Sequence, residues 1–158
     1  MKKYGMLAAV LACLALLPSC QSKQEQVAPY QTTDLQALVN AGAFSEELET
    51  VDGDTAFALY RLADYGLTRE DLADCAVLRS AGGTCEEAAV LVLAEDDQKQ
   101  VSQVEQALKD YVQGQISSNE NYRPNEIPKL DEAVIDSRDG TVLMVVANDY
   151  SAVKAALG

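Results

Sequence analysis

The chain has 158 residues, 48% of them hydrophobic, which supplies one core and makes wholesale disorder a poor description. Its formal charge of −13, from 12 basic and 25 acidic residues, repels phosphodiester backbones and anionic headgroups, and so argues against nucleic acid as a partner. There is no histidine, which removes Ser-His-Asp and Cys-His catalysis, histidine-ligated zinc and the commonest general base near neutral pH.

Lys2 and Lys3 open the chain as a short positive region, and Met6 to Leu17 is an unbroken apolar run. That run has the length of a signal-peptide core and is short for a bilayer span. Leu17-Pro18-Ser19-Cys20 follows, with a small residue before the cut and a thiol just after it. The pattern predicts a bacterial lipobox: residues 1–19 form a cleaved lipoprotein signal peptide, and Cys20 becomes the lipidated amino terminus. An ordinary secretory signal would instead leave Cys20 as a free thiol on a tail, a liability in an oxidising compartment. Two acyl chains such as palmitate, at about 0.8 kcal/mol per buried methylene, give stable anchoring. Residues 20–32 are polar and Gln-rich and read as a flexible tether, with a single α+β domain over 33–158. The expected location is the cell membrane, lipid-anchored on its extracytoplasmic face.

The domain begins with a helical prelude. Thr33 precedes a turn that groups Leu35, Leu38 and Val39, and Ser45-Glu46-Glu47-Leu48 begins another. Asp52-Gly53-Asp54-Thr55 reads as a turn and cap before a short helix carrying Phe57, Tyr60 and Leu62, and Thr68 to Asp71 resembles a capping box. Cys75 to Leu78 then reads as a strand, Ser80 to Thr84 as a glycine-bearing connection, and Cys85 to Ala94 as its hairpin partner. The run Ala88 to Leu93 is apolar on both faces, which suits a central strand.

From about Asp96 to Ile116, Val101, Val104, Leu108, Tyr111, Val112 and Ile116 recur at helical spacing, opposite a polar face. Ala133 to Ser137 reads as a third strand, Asp139-Gly140 as a type I′ turn, and Thr141 to Ala147 as a fourth. Asn148 or Asp149 caps a last helix. The order β-β-α-β-β-α predicts an α+β fold: a mostly antiparallel four-stranded sheet with helices packed on one face.

Gly83 to Val90, the long acid-capped helix, and Thr141 to Ala147 before a terminal helix together resemble domain-of-unknown-function family 4358, small lipoproteins of Gram-positive gut bacteria. The resemblance runs from about Leu35 to Leu157. It implies an extracytoplasmic lipoprotein and brings no catalytic residue with it. Members usually carry a small residue where Cys85 stands.

Several constellations invite a chemical reading. A hairpin symmetric about Ser80 would set Cys75 opposite Cys85, close enough for a disulfide; two reduced thiols and a redox pair are the alternatives. Ser151-Ala152-Val153-Lys154 matches the Ser-x-x-Lys of penicillin-binding enzymes, but lacks room for the rest of such a site. Adjacent acids abound, and neighbours on a strand point to opposite faces instead of converging. Asp52-Gly53-Asp54 lacks the later ligands of a calcium loop. Glu86 and Glu87 beside Gly82 and Gly83 are the preferred ligand-binding candidate, because polar side chains and glycine amides coincide there. Tyrosine supplies 7 of the 9 aromatics, and Tyr30, Tyr65, Tyr111, Tyr122 and Tyr150 are candidates for a ligand surface. Neither a metal nor a cofactor is expected. The leading reading is a non-enzymatic envelope module that binds a protein, peptide or glycan. Its rival is an envelope enzyme, either a carboxylate-dependent hydrolase or a thiol-disulfide exchanger using Cys75 and Cys85.

Overall fold

The computed structural model describes residues 27–158. The expected signal peptide, Cys20 and the first part of the expected tether lie outside the described residues. Five strands form one antiparallel sheet: β1 Glu49–Val51, β2 Leu72–Arg79, β3 Glu87–Leu93, β4 Val134–Arg138 and β5 Thr141–Val146, in the order β1-β2-β3-β5-β4. The helices are α1 Asp34–Asn40, α2 Gly53–Leu59, α3 Gln98–Asn119, α4 Ile127–Asp131 and α5 Tyr150–Leu157. The α+β class agrees with expectation, while the strand count rises from four to five. The added strand, β1, has three residues and an exposed edge pattern, too short for an alternation to register.

Both faces of the sheet are covered, which corrects the one-faced arrangement. Alternation along the two central strands explains it. Ala89, Leu91, Val142 and Met144 point to one side and pack with Val101, Val104, Leu108 and Val112 of α3, and with Tyr60 and Leu62. Ala88, Val90, Leu143 and Val145 point to the other and meet Leu35 and Leu38 of α1 and Val153 of α5. An all-apolar strand left bare on one side would expose a row of valines and leucines. The short flanking helices remove that surface from water, at about 1.5–3 kcal/mol for each large side chain.

Local chemistry sets the boundaries. Asp52 accepts from the amides of Asp54 and Thr55 and starts α2; Asp97 accepts from Lys99 N and starts α3; Asp149 does the same for α5. At Asp139-Gly140 both φ values are positive, 41° and 74°, as a type I′ turn requires. The β2–β3 hairpin departs from the expected symmetry. Arg79 pairs with Glu87, so the hairpin centres on Gly83 and not on Ser80, and Cys75 stands opposite Leu91. Cys85 falls in the loop, and both cysteines are free thiols. Register therefore separates the pair that a Ser80-centred turn would have joined.

Candidate functional site

Two adjacent glutamates leave the start of β3 in opposite directions and tie the β2–β3 loop to the two layers of the fold. Glu87 turns toward α3. Its carboxylate accepts from Tyr60 Oη at 2.6 Å and Tyr111 Oη at 2.7 Å, and pairs with Arg79 Nε at 3.0 Å, the residue directly across the hairpin. The two rings meet edge to face, with centroids 5.0 Å apart. Burial pushes the Glu87 carboxyl above its ordinary range; the two phenols and Arg79 oppose that shift without cancelling it. Burial, with the neighbouring carboxylate second, raises both phenols.

Glu86 is fully buried and turns the other way. It accepts from Ser45 N at 2.8 Å and Ser45 Oγ at 2.5 Å, and pairs with Lys129 Nζ at 2.7 Å. Lys129 also reaches Glu126, whose carboxylate accepts from Cys85 N at 2.9 Å. Burial alone would lower the Lys129 ammonium, but its bonds to Glu86 and Glu126 outweigh that and leave it raised.

The loop leading into the two glutamates is wrapped around Ser80, whose Oγ accepts from the amides of Gly82 and Thr84 and donates to Glu46. Bonds from Ser80 and Thr84 lower the Glu46 carboxyl. Gly82 holds φ at +116°, a conformation that favours glycine. Gly83 is needed for a different reason: a Cβ there would sit 2.7 Å from Glu46 Oε2. From just past the end of α3, Arg123 closes the far side, with Nε on Asn119 Oδ1 at 2.9 Å and Nη1 on the carbonyls of Gly82 and Thr84 at 2.9 and 3.3 Å.

Comparison with known proteins adds one finding. The family model described as Domain of unknown function (DUF4358) matches residues 47–147. The chain belongs to this family. No curated protein and no solved structure matches. The matched stretch of this DUF4358 chain contains Tyr60, Glu86, Glu87, Tyr111, Arg123 and Lys129. Ser45 and Glu46, which complete the brace, stand just before it.

The four expected site residues, Gly82, Gly83, Glu86 and Glu87, thus come together, but as internal ties. Gly82 N is already bonded, and both carboxylates are enclosed. Sequence reasoning missed Ser45, Lys129 and Arg123 because no periodic pattern links them to residues about forty positions away. The other motifs also have local partners. Ser151 Oγ donates to Asp149 as part of the α5 cap, leaving Ser-x-x-Lys without a nucleophile in waiting. Burial raises both Cys75 and Cys85, and nearby Arg69 and Arg123 respectively only moderate the shift. Among the described residues, no three Cys, Asp or Glu side chains are placed to hold a metal ion, and no helix is long and apolar enough to cross a membrane.

The tyrosines divide sharply. Tyr30 donates to Asp136 beneath the Arg138 guanidinium, Tyr65 to Asp110, Tyr111 to Glu87, and Tyr150 to the Lys129 carbonyl. Burial raises Tyr150 to about 12. Tyr122 is 88% exposed, on the rim of an open depression of about 560 Å³ lined by Gly82, Gln115, Ser118, Asn119 and Arg123. It is the large aromatic that the described fold leaves uncovered.

Proposed function

We propose that the protein is a lipid-anchored extracytoplasmic binding module of the cell envelope, which meets its partner at the Tyr122–Arg123 corner beside the β2–β3 loop. The observation that carries this reading is the contrast between Tyr122, open to solvent, and the other tyrosines of the domain, each engaged internally. Tyrosine and arginine are the side chains most enriched where binding energy concentrates, and a braced loop beside them lowers the entropy lost on association.

The topology fits such a role. Tyr30 N donates to Thr141 Oγ1, so the chain enters the domain at the β4–β5 turn. Thr141 lies opposite Val92, while Val146 lies opposite Glu87 at the β2–β3 loop. The entry point and the Tyr122 corner therefore sit at opposite ends of the central strands, roughly 20 Å apart along β3. A lipid on Cys20 would hold the first end toward the membrane and turn the second away from it.

The test is affinity capture of tagged full-length protein from native membranes, in parallel with Cys20→Ala and Tyr122→Ala. The reading expects palmitate label on the unsubstituted chain and none on Cys20→Ala, and a co-purifying partner that Tyr122→Ala loses. An unlabelled wild-type chain would overturn the anchor; a partner retained in full by Tyr122→Ala would overturn the corner.

A further inference from the structure

We infer that the Tyr122–Arg123 corner takes an acidic saccharide, its carboxylate on Arg123 and a sugar ring against Tyr122; this rests on the binding reading above and names the ligand class. Arginines 61, 69, 79 and 138 each pair with a carboxylate, at 2.5, 2.9, 3.0 and 3.4 Å. Arg123 has no carboxylate partner among the described residues. It is held by neutral acceptors, the Asn119 amide and two loop carbonyls, which fix the guanidinium without cancelling its charge. Its Nη2 has no acceptor among those bonds and is not among buried unpartnered atoms, so it opens to solvent. In a chain of charge −13, an uncompensated guanidinium fixed by three bonds is a specific place for one anionic group.

The surroundings decide what carries that group. The depression, about 560 Å³, is open to solvent, so a ligand there lies against one side of the domain and is not enclosed. Tyr122 lies there among polar side chains whose carbon atoms make up the larger part of the exposed lining; the Gln115 amide and the Ser118 hydroxyl, which donates to Gly114 O, are its hydrogen-bonding groups, while Gly82 N and O are both engaged within the loop. A pyranose offers hydroxyls for the amides and a C–H face for the Tyr122 ring. The surrounding negative field disfavours a long polyanion and tolerates a single sugar acid.

The full chain in detergent micelles is titrated, by chemical-shift perturbation, with cellobiouronic acid, cellobiose and the tripeptide alanyl-seryl-alanine. The expected result is saturable binding of the uronate, weaker by at least ~tenfold for neutral cellobiose and for Tyr122→Ala. Arg123→Gln should abolish the preference for the uronate; because Arg123 also braces the loop, the Gly82 and Gly83 amide shifts report whether the loop keeps its shape. Tyr122→Ala touches no internal bond and carries the test whatever Arg123→Gln does. No uronate binding, equal binding of cellobiose, tighter binding of the tripeptide, or uronate binding unchanged in Tyr122→Ala would each overturn the inference. If the uronate fails while Tyr122→Ala still abolishes membrane capture, only the ligand class falls; if both fail, the corner falls with it.

Discussion

The two ends of the sheet solve the same problem by different means. At the β4–β5 end, two residues with positive φ, Asp139 and Gly140, reverse the chain in a tight turn, with the Gly140 carbonyl accepting from Leu93 N of β3. At the β2–β3 end, the connection from Ser80 to Glu86 is too long for that solution. It is held instead by Glu46, from before β1, and by Arg123, Glu126 and Lys129, from the segment between α3 and β4, with Lys129 paired to Glu86 of the connection itself. A tight turn follows from two residues; a loop braced by buried ions is costly, because each ion must be desolvated and fully paired. The sequence spends that cost at the end that carries the exposed Tyr122, and this is the strongest structural reason for placing function there.

Breaking one member of the ion brace should have the largest effect. Glu86→Ala leaves the Ser45 amide without its acceptor and Lys129 with Glu126 alone, and should cost about 3–5 kcal/mol in urea denaturation. A cost under about 1 kcal/mol would mean that water substitutes for the carboxylate and that the brace is not what holds the loop. Tyr60→Phe removes one phenol from Glu87 and should cost about 1–3 kcal/mol. At the simpler end, Gly140→Ala meets a φ of +74° and van der Waals contact with Asp96 Cα at 3.4 Å, and should cost about 1 kcal/mol. Tyr122→Ala should stay within about 0.5 kcal/mol of the parent, since its ring covers nothing.

Glu87 also sharpens the comparison through pH. Its folded carboxyl is raised by burial above the ordinary value of 4.5, so the unfolded chain releases its proton first. The contribution of this group is full below 4.5 and is lost as pH climbs through the folded value. Glu46, Asp52, Asp71 and Asp149 are shifted down by hydrogen bonds, so what they contribute is present above their unfolded values and is lost on acidification. A carboxyl-carbon NMR titration should therefore show Glu87 changing at a midpoint above 4.5. A midpoint at or below it would mean that Arg79 and the phenols dominate burial.

Much of the architecture was legible where periodicity is local. The 3.6-residue repeat of Val101, Val104, Leu108 and Val112 defined α3, and Asp139-Gly140 named its own turn. The unbroken apolar run of β3 already carried the need for cover on both faces, but short helices such as α1 and α5 have too few apolar positions to show which surface they meet. The hairpin register was misread because a Ser80-centred turn assumed a short loop, whereas Ser80 is the post around which a longer one winds. The site was half legible. Glycines beside paired glutamates marked the right loop, yet the donors that complete it come from Ser45 and Lys129, and only the fold brings those to Glu86. Tyr122 was one of five tyrosine candidates in the sequence, and what separates it from the other four is the hydrogen bond that each of their hydroxyls makes within the fold.

The most direct test of the account is site-specific photo-crosslinking of the full-length protein in its native membrane. The photoreactive residue is placed at position 122, or at Glu70 near the β4–β5 end as a control. The account predicts a discrete crosslinked partner from position 122 that is absent from position 70. Crosslinking at position 70 with none at 122 would contradict it.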